Sequence, residues 1–240
     1  MDRGMAVTLV ILIRHAHSSA NGSGILAGRT AGVHLSPLGK MQARKLAIRL
    51  GDIPIKNLRL SPLERCAETI APWLRKTDPD LLNARPPIQI DPDLAEVDYG
   101  LWSGKKLRAL AKDPLWKVIQ ESPSSVTFPN GESMIAMQER ANRSVQSALS
   151  KRGRGHVVLV SHGDVVKSII ASALNMHLDA FQRIVIDPAS ISILDYSASM
   201  PRLLLMNDSL SKLNPDLFER RVARSVIGGG SGTSERKKVN

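Results

Sequence analysis

Two histidines in this chain directly follow runs of strand-forming residues. Val7 to Ile13 is an apolar, largely β-branched run that ends in Arg14-His15, and Val157 to Val160 is a second that ends in Ser161-His162-Gly163. Ligands of open α/β sheets gather beyond the carboxyl ends of the strands, where strand order reverses, so the two imidazoles are placed to face one another across one pocket. Neutral imidazole is a competent nucleophile near pH 7. Arg14 and Arg65 add planar guanidinium forks that match phosphate oxygens. Arg65 lies near a helix start, whose backbone N–H groups favour anions, and Gly163 lets the backbone approach a ligand just before another helix. Together these residues describe a phosphate cradle. Phosphoryl transfer spreads negative charge over three equatorial oxygens, so positioning and cationic donors supply most of its catalysis.

A competing chemistry starts from the same place. His15-Ala16-His17 has the form of a His-x-His pair sharing a divalent ion. Of the remaining histidines, His34, His156, His162 and His177, only one ends a clear strand, so a metal-dependent hydrolase is the weaker reading and no metal is expected.

The elements that must hold these groups alternate between short strands and helices, as a mainly parallel, doubly wound sheet in a three-layer α/β/α arrangement requires. After strand one, a polar glycine-bearing loop covers Ser18 to His34. Ser36-Pro37 then opens a helix with Ala43, Leu46, Ala47 and Leu50 on one face, and Gly51 stops it. Asn57 to Leu60 is a second strand. Ser61-Pro62-Leu63-Glu64 has capping-box spacing before the helix of Arg65, which Pro72 kinks or divides. Ile88 to Ile90 is another strand. Beyond Asp98 the chain is mostly helical, forming a cap segment over about 101–150 interrupted by the loop Ser122 to Gly131. Met134, Met137, Ala141, Val145 and Ala148 share one buried helix face, Trp73, Trp102 and Trp116 are packing residues, and Glu132 is a helix-start acid. A helix from Asp164 to Leu174 follows the central strand, and Ile184 to Ile186, Ile191 to Asp195 and Leu203 to Met206 complete the sheet.

The landmarks Leu12-Ile13-Arg14-His15, Asn21, Ser61-Pro62-Leu63-Glu64-Arg65, Glu96 within Leu94 to Trp102, and Ser161-His162-Gly163 resemble, in that order, the histidine phosphatase superfamily, also called phosphoglycerate-mutase-like. The resemblance runs from about Val7 to Met206. It implies that His15 is the phosphorylated nucleophile, that Arg14, Arg65 and His162 bind the transferring group, that Glu96 is the proton donor and that Asn21 lines the phosphate pocket. Asp98 is an alternative acid, set aside because Glu96 keeps the family's spacing to Gly100. The implied activity is hydrolysis of a small phosphorylated metabolite through a phosphohistidine, without metal or cofactor, the positive charge coming from the arginines and a protonated His162. Two departures bear on specificity. Ala16, His17 and Ser18 follow the nucleophile where the family usually continues with glycine and glutamate, so His17 is expected to alter the pocket rim. The stretch between Glu96 and His162 is also short beside the mutases, which favours hydrolysis over phosphoglycerate-mutase-type transfer. Leu101 to Gly131 is expected to shape substrate choice.

The totals fit one domain over 1–210, a possible short helix over 211–227 and a disordered basic tail at 228–240. A single cysteine, Cys66, makes no internal disulfide, and a reducing cytoplasm is the expected compartment. Val7 to Ile13 is far shorter than the roughly 20 residues of a membrane span, so no membrane partner is expected. The net charge of +11 favours anionic partners. A small phosphorylated substrate accounts for it; the basic face Lys40, Arg44, Lys45 and Arg49 lacks interleaved aromatics, reads as solvated helix surface, and points to no nucleic acid. Pro215 to Val226 has the amphipathic pattern of a piece that docks on its own domain, a membrane or a second subunit, so a homo-oligomer stays open.

Overall fold

Val157 to Val160 lies at the middle of the sheet. In the computed structural model, which describes residues 8–76, 86–213 and 218, it forms most of β4 (His156–Ser161), every residue of which is buried. β4 pairs in parallel with β1 (Leu9–Arg14) on one side and β2 (Ile55–Leu60) on the other. β3 (Ile88–Ile90) continues the parallel set beyond β2, while β5 (Ile191–Asp195) and β6 (Arg202–Asp208) extend the sheet from β1 as antiparallel neighbours. The order is β3-β2-β4-β1-β5-β6, a six-stranded, mainly parallel sheet.

The helices are α1 (Ser19–Ser23), α2 (Pro37–Leu50), α3 (Glu64–Lys76), α4 (Leu107–Leu110), α5 (Pro114–Glu121), α6 (Met134–Leu149) and α7 (Gly163–Ala173). Strand alternation sends β1 side chains to opposite layers. Leu9, Ile11 and Ile13 pack with Leu46 and Leu50 of α2 and with Ile70 and Trp73 of α3, whereas Val10 and Leu12 pack with Met137 and Val145 of α6 and Ile169 of α7. Each such side chain contributes roughly 1.5–3 kcal/mol when fully buried. The ends of α2 follow their sequence signals: Ser36 Oγ accepts the Gly39 N–H, Pro37 occupies the first turn and Gly51 leaves the helix at φ 55°. The stripe Met134, Met137, Ala141, Val145 and Ala148 is entirely buried, and Trp102 stacks on Trp116 with centroids 6.3 Å apart.

Several expectations change. Ile184 to Ile186 is not a strand; it is an extended segment following a 3-10 turn (Leu178–Arg183). Pro72 does not divide α3, which runs unbroken through it, giving up one backbone hydrogen bond. Ser61 does not cap α3, which begins at Glu64: its hydroxyl accepts the Leu63 N–H and meets His162, and the Glu64 carboxylate accepts the Gly32 N–H instead. Lys40, Arg44 and Lys45 are exposed, but Arg49 is buried, bonded to the Asp208 and Ser211 carbonyls and 3.5 Å from the Asp208 carboxylate. The tail at 228–240 and most of 211–227 lie outside the described residues. Among the described residues no helix is long and apolar enough to cross a membrane.

Candidate active site

Parallel register brings the landmarks together. Arg14 is paired with Ser161, the His15 N–H donates to the Ser161 carbonyl at 2.8 Å, and the Ser61 N–H donates to the Val160 carbonyl at 3.0 Å. The Asp91 N–H donates in turn to Leu60 at 2.8 Å, which sends the chain toward Glu96 at the same sheet end. The carboxyl ends of β3, β2, β4 and β1 therefore surround one cavity of about 410 Å³, whose walls include Arg14, His15, Asn21, Arg65, Glu96 and Gly163.

His15 is 4% exposed, and its Nδ1 lies 2.8 Å from the Ala16 carbonyl. A carbonyl only accepts, so the proton sits on Nδ1 and Nε2 keeps its lone pair. Burial, then the Arg65 charge, push the His15 pKa down to about 3. The His162 ring centroid is 5.1 Å away, but His162 is fully buried behind the cavity wall and does not line it. Arg65 Nη2 donates to His162 Nδ1 at 3.2 Å, so the His162 proton is on Nε2, which donates to Ser61 Oγ at 2.7 Å. Burial first, then the His15 and Arg65 neighbours, hold His162 well below the ordinary histidine range. The expected imidazolium is thus a neutral ring, and the positive charge comes from guanidinium groups.

Those groups are only partly satisfied. Arg14 Nη1 donates to the Ile186 carbonyl and Arg65 Nη2 to the Gly28 carbonyl. Arg14 Nε and Arg65 Nη1 are buried without a hydrogen-bond partner among the described residues, where neither guanidinium has a carboxylate within 4.0 Å. Buried donors and charges in this condition are costly unless something pairs with them. Gly163 keeps the place open, since a Cβ there would meet Arg14 Cζ at 3.4 Å.

Glu96 enters from the β3 side. Its Oε1 accepts the Val97 N–H at 3.0 Å and its Oε2 lies 3.8 Å from His162 Nδ1. Burial and then the Asp164 carboxylate push its pKa up to about 7. Asp98, the alternative acid, is a half-exposed turn residue whose Oδ1 accepts the Gly100 N–H. Asn21 is exposed on the wall, and its Oδ1 accepts the Ser18 N–H and hydroxyl in a capping box.

Sequence reasoning missed the groups that hold Glu96. Arg140 donates to the carbonyls of Asp93, Ala95 and Glu96, and Arg29 also donates to Glu96. Glu132 binds both arginines and the Asp98 N–H, so it is the hub of this clamp rather than a helix-start acid. The signal available was an arginine three residues after Met137, beside the buried stripe of α6 and in need of a carboxylate. Asp164, which accepts the Tyr99 hydroxyl at 2.9 Å, and Lys167 also line the cavity unannounced. His17 does not shape the rim: its Nδ1 meets Ser36 Oγ at the start of α2, 2.8 Å away. It therefore diverges from His15, and among the described residues no group of three or more His, Cys, Asp or Glu side chains is placed to hold a metal ion. Of Leu101 to Gly131, Leu107 alone reaches the cavity; the rim is built from 25–28 and 182–187.

The histidine phosphatase superfamily (branch 1) family profile matches residues 10–209. The chain belongs to that superfamily. This histidine phosphatase is 27% identical over 195 residues to a protein named probable phosphoglycerate mutase in Erwinia tasmaniensis, covering 79% of this chain and 86% of that one. It is 26% identical over 200 residues to phosphoserine phosphatase 1 of Hydrogenobacter thermophilus, covering 82% and 91%. Its fold matches the α-ribazole phosphatase of Shigella flexneri with a TM-score of 0.72 at 23% identity, over 86% of this chain and all of that one.

Proposed function

We propose that this histidine phosphatase hydrolyses phosphomonoesters of small metabolites through a phosphohistidine at His15. The observation that carries the proposal is the pair of guanidiniums, Arg14 and Arg65, each with a buried N–H that no group among the described residues takes, on the lining of the same cavity as His15, whose Nε2 is unprotonated. A phosphoryl dianion satisfies both donors and both charges. His15 Nε2 attacks the phosphorus in line while the Glu96 carboxyl gives its proton to the departing alcohol oxygen, breaking the P–O bond as N–P forms. The Glu96 carboxylate then takes a proton from water, whose oxygen attacks the phosphohistidine; inorganic phosphate leaves and the imidazole is restored. Asn21 and the Gly163 backbone line the phosphate end. His162 positions Arg65 by accepting its Nη2–H, with Ser61 anchoring the far side of the ring.

The same phosphohistidine serves a mutase that hands the group to a second hydroxyl, the activity in the name of the Erwinia relative. Water is the preferred acceptor because Leu107 is all that the segment 101–131 offers to shield the intermediate. A screen of phosphomonoesters in EDTA, with His15→Ala as control, tests the proposal. Wild type is expected to release phosphate and to carry an acid-labile phosphoryl label after quenching, and His15→Ala to do neither. Activity lost in EDTA and restored by zinc or manganese defeats it.

A further inference from the structure

We propose that the outer half of the cavity is a subsite for an uncharged, apolar-bodied leaving group, so that the preferred substrates are monoesters carrying no second acid. The inference rests on the phosphohistidine reading of the same site. A cavity of about 410 Å³ falls within the roughly 300–1,000 Å³ of small-molecule pockets, so it has room for far more than a phosphate. Beyond the cradle its lining carries two aliphatic clusters, Ile25, Leu26 and Leu107, and Ile184, Val185 and Ile186 of the 182–187 segment, set among Asp164, Lys167, Gln182 and Asp187. The first wall is laced to the start of α4 by hydrogen bonds from Leu26 to Lys105, Gly104 to Leu26 and Leu107 to Gly24, each 2.8 to 2.9 Å. The second is tied to the cradle through Arg14 and the Ile186 carbonyl.

The one cation out there among the described residues is already paired, and the carboxylates are not relieved by a second. Lys167 Nζ, the outer cation, lies 3.5 Å from Asp164 Oδ1 and 3.1 Å from Gln182 Oε1. The Asp187 carboxylate accepts from the Asn207 amide. Arg14 and Arg65 are left as the lining cations without a carboxylate partner among the described residues, and one phosphate dianion matches them. With the phosphate on Arg14 and Arg65, a carboxylate on the leaving group finds no free cation among the described lining residues, meets Asp164 and Asp187 and loses water against the aliphatic clusters. An apolar body gains from the same walls.

Matched esters read this directly. Benzyl phosphate and carboxybenzyl phosphate, which differ by one acid, are compared with phosphoserine on wild type and Leu107→Lys, and oxygen exchange between inorganic phosphate and labelled water on wild type reports the cradle without any leaving group. Benzyl phosphate is expected to exceed both others in kcat/KM by at least about tenfold, the scale on which one pocket contact discriminates. Leu107→Lys, which puts a cation where the aliphatic contact was, is expected to erase most of that preference, read as the ratio of kcat/KM values within the variant so that any change in the shared phosphate chemistry cancels. Equal or better turnover of carboxybenzyl phosphate or phosphoserine by wild type overturns the subsite, as does an unchanged preference in Leu107→Lys. Wild type that neither exchanges phosphate nor cleaves any ester defeats the His15 reading itself, and the subsite with it.

Discussion

The proposed mechanism needs a protonated Glu96 when the free enzyme meets its ester, and its carboxyl, raised to about 7, is protonated below that pH and ionised above it. We expect kcat/KM to fall about tenfold per pH unit above 7, and Glu96→Gln to remove that limb while lowering the rate by about 10²- to 10⁴-fold. Asp164→Asn takes away the second cause of the elevation, so the limb moves to lower pH; a limb that does not move places the acid elsewhere. His162 is neutral in the free protein because burial and Arg65 disfavour its charged form, and a bound vanadate or phosphate opposes that effect. Nitrogen NMR is expected to find it untitrated at pH 6 in the free protein and shifted toward protonation with the anion. At this scale the place of Glu96 on the cavity lining was legible in family spacing, and its role as the acid is part of the proposal. The charge state of His162 was not, because it follows from depth of burial, which no local pattern encodes.

Strands and helix caps of single elements were written in the chain: the β-branched runs became β1 and β4, and Ser36-Pro37 and Gly51 bound α2. What failed at this scale were signals that tertiary context reassigned. Ile184 to Ile186 has strand composition but serves as a cavity wall, and Ser61 has cap spacing but gives its oxygen to His162. The clamp of Arg140 and Glu132 is another such case, joining α6 to three backbone carbonyls ahead of β4. Arg140→Met strips the half-buried Glu132 carboxylate of its nearest cation and takes their shared donor from the Asp93 and Ala95 carbonyls, which is expected to cost about 3 kcal/mol in urea unfolding, the low end for breaking a buried pair. A loss below about 1 kcal/mol means that Arg29 alone sustains the clamp.

The whole molecule answers acid through the same residues. Between pH 6.5 and 4.5 an unfolded chain protonates His15 and His162, which the folded protein keeps neutral, while folded Glu96 holds a proton that the unfolded chain has released. Two protons favour unfolding against one favouring the fold, so stability declines as pH falls through this window, by about 1.4 kcal/mol per pH unit for the net proton. His156, also depressed by burial, adds in the same direction. Glu96→Gln is expected to steepen the slope by one proton and His15→Ala to flatten it by one, measured as urea midpoints across that range; equal slopes refute the assignment. The layered α/β class was legible in the sequence, but the insertion of β4 between β1 and β2 was not, because pairing order depends on contacts between distant segments. That insertion couples His15, the proposed nucleophile, to residues almost a whole domain further along the chain. Closing so long a loop comes late in folding. If His15 takes the phosphoryl group as proposed, competence for self-phosphorylation is a clock: after dilution from denaturant, label on His15 is expected to keep step with the slowest phase, long after helices have formed, and a nascent chain halted before β4 to carry an inert imidazole.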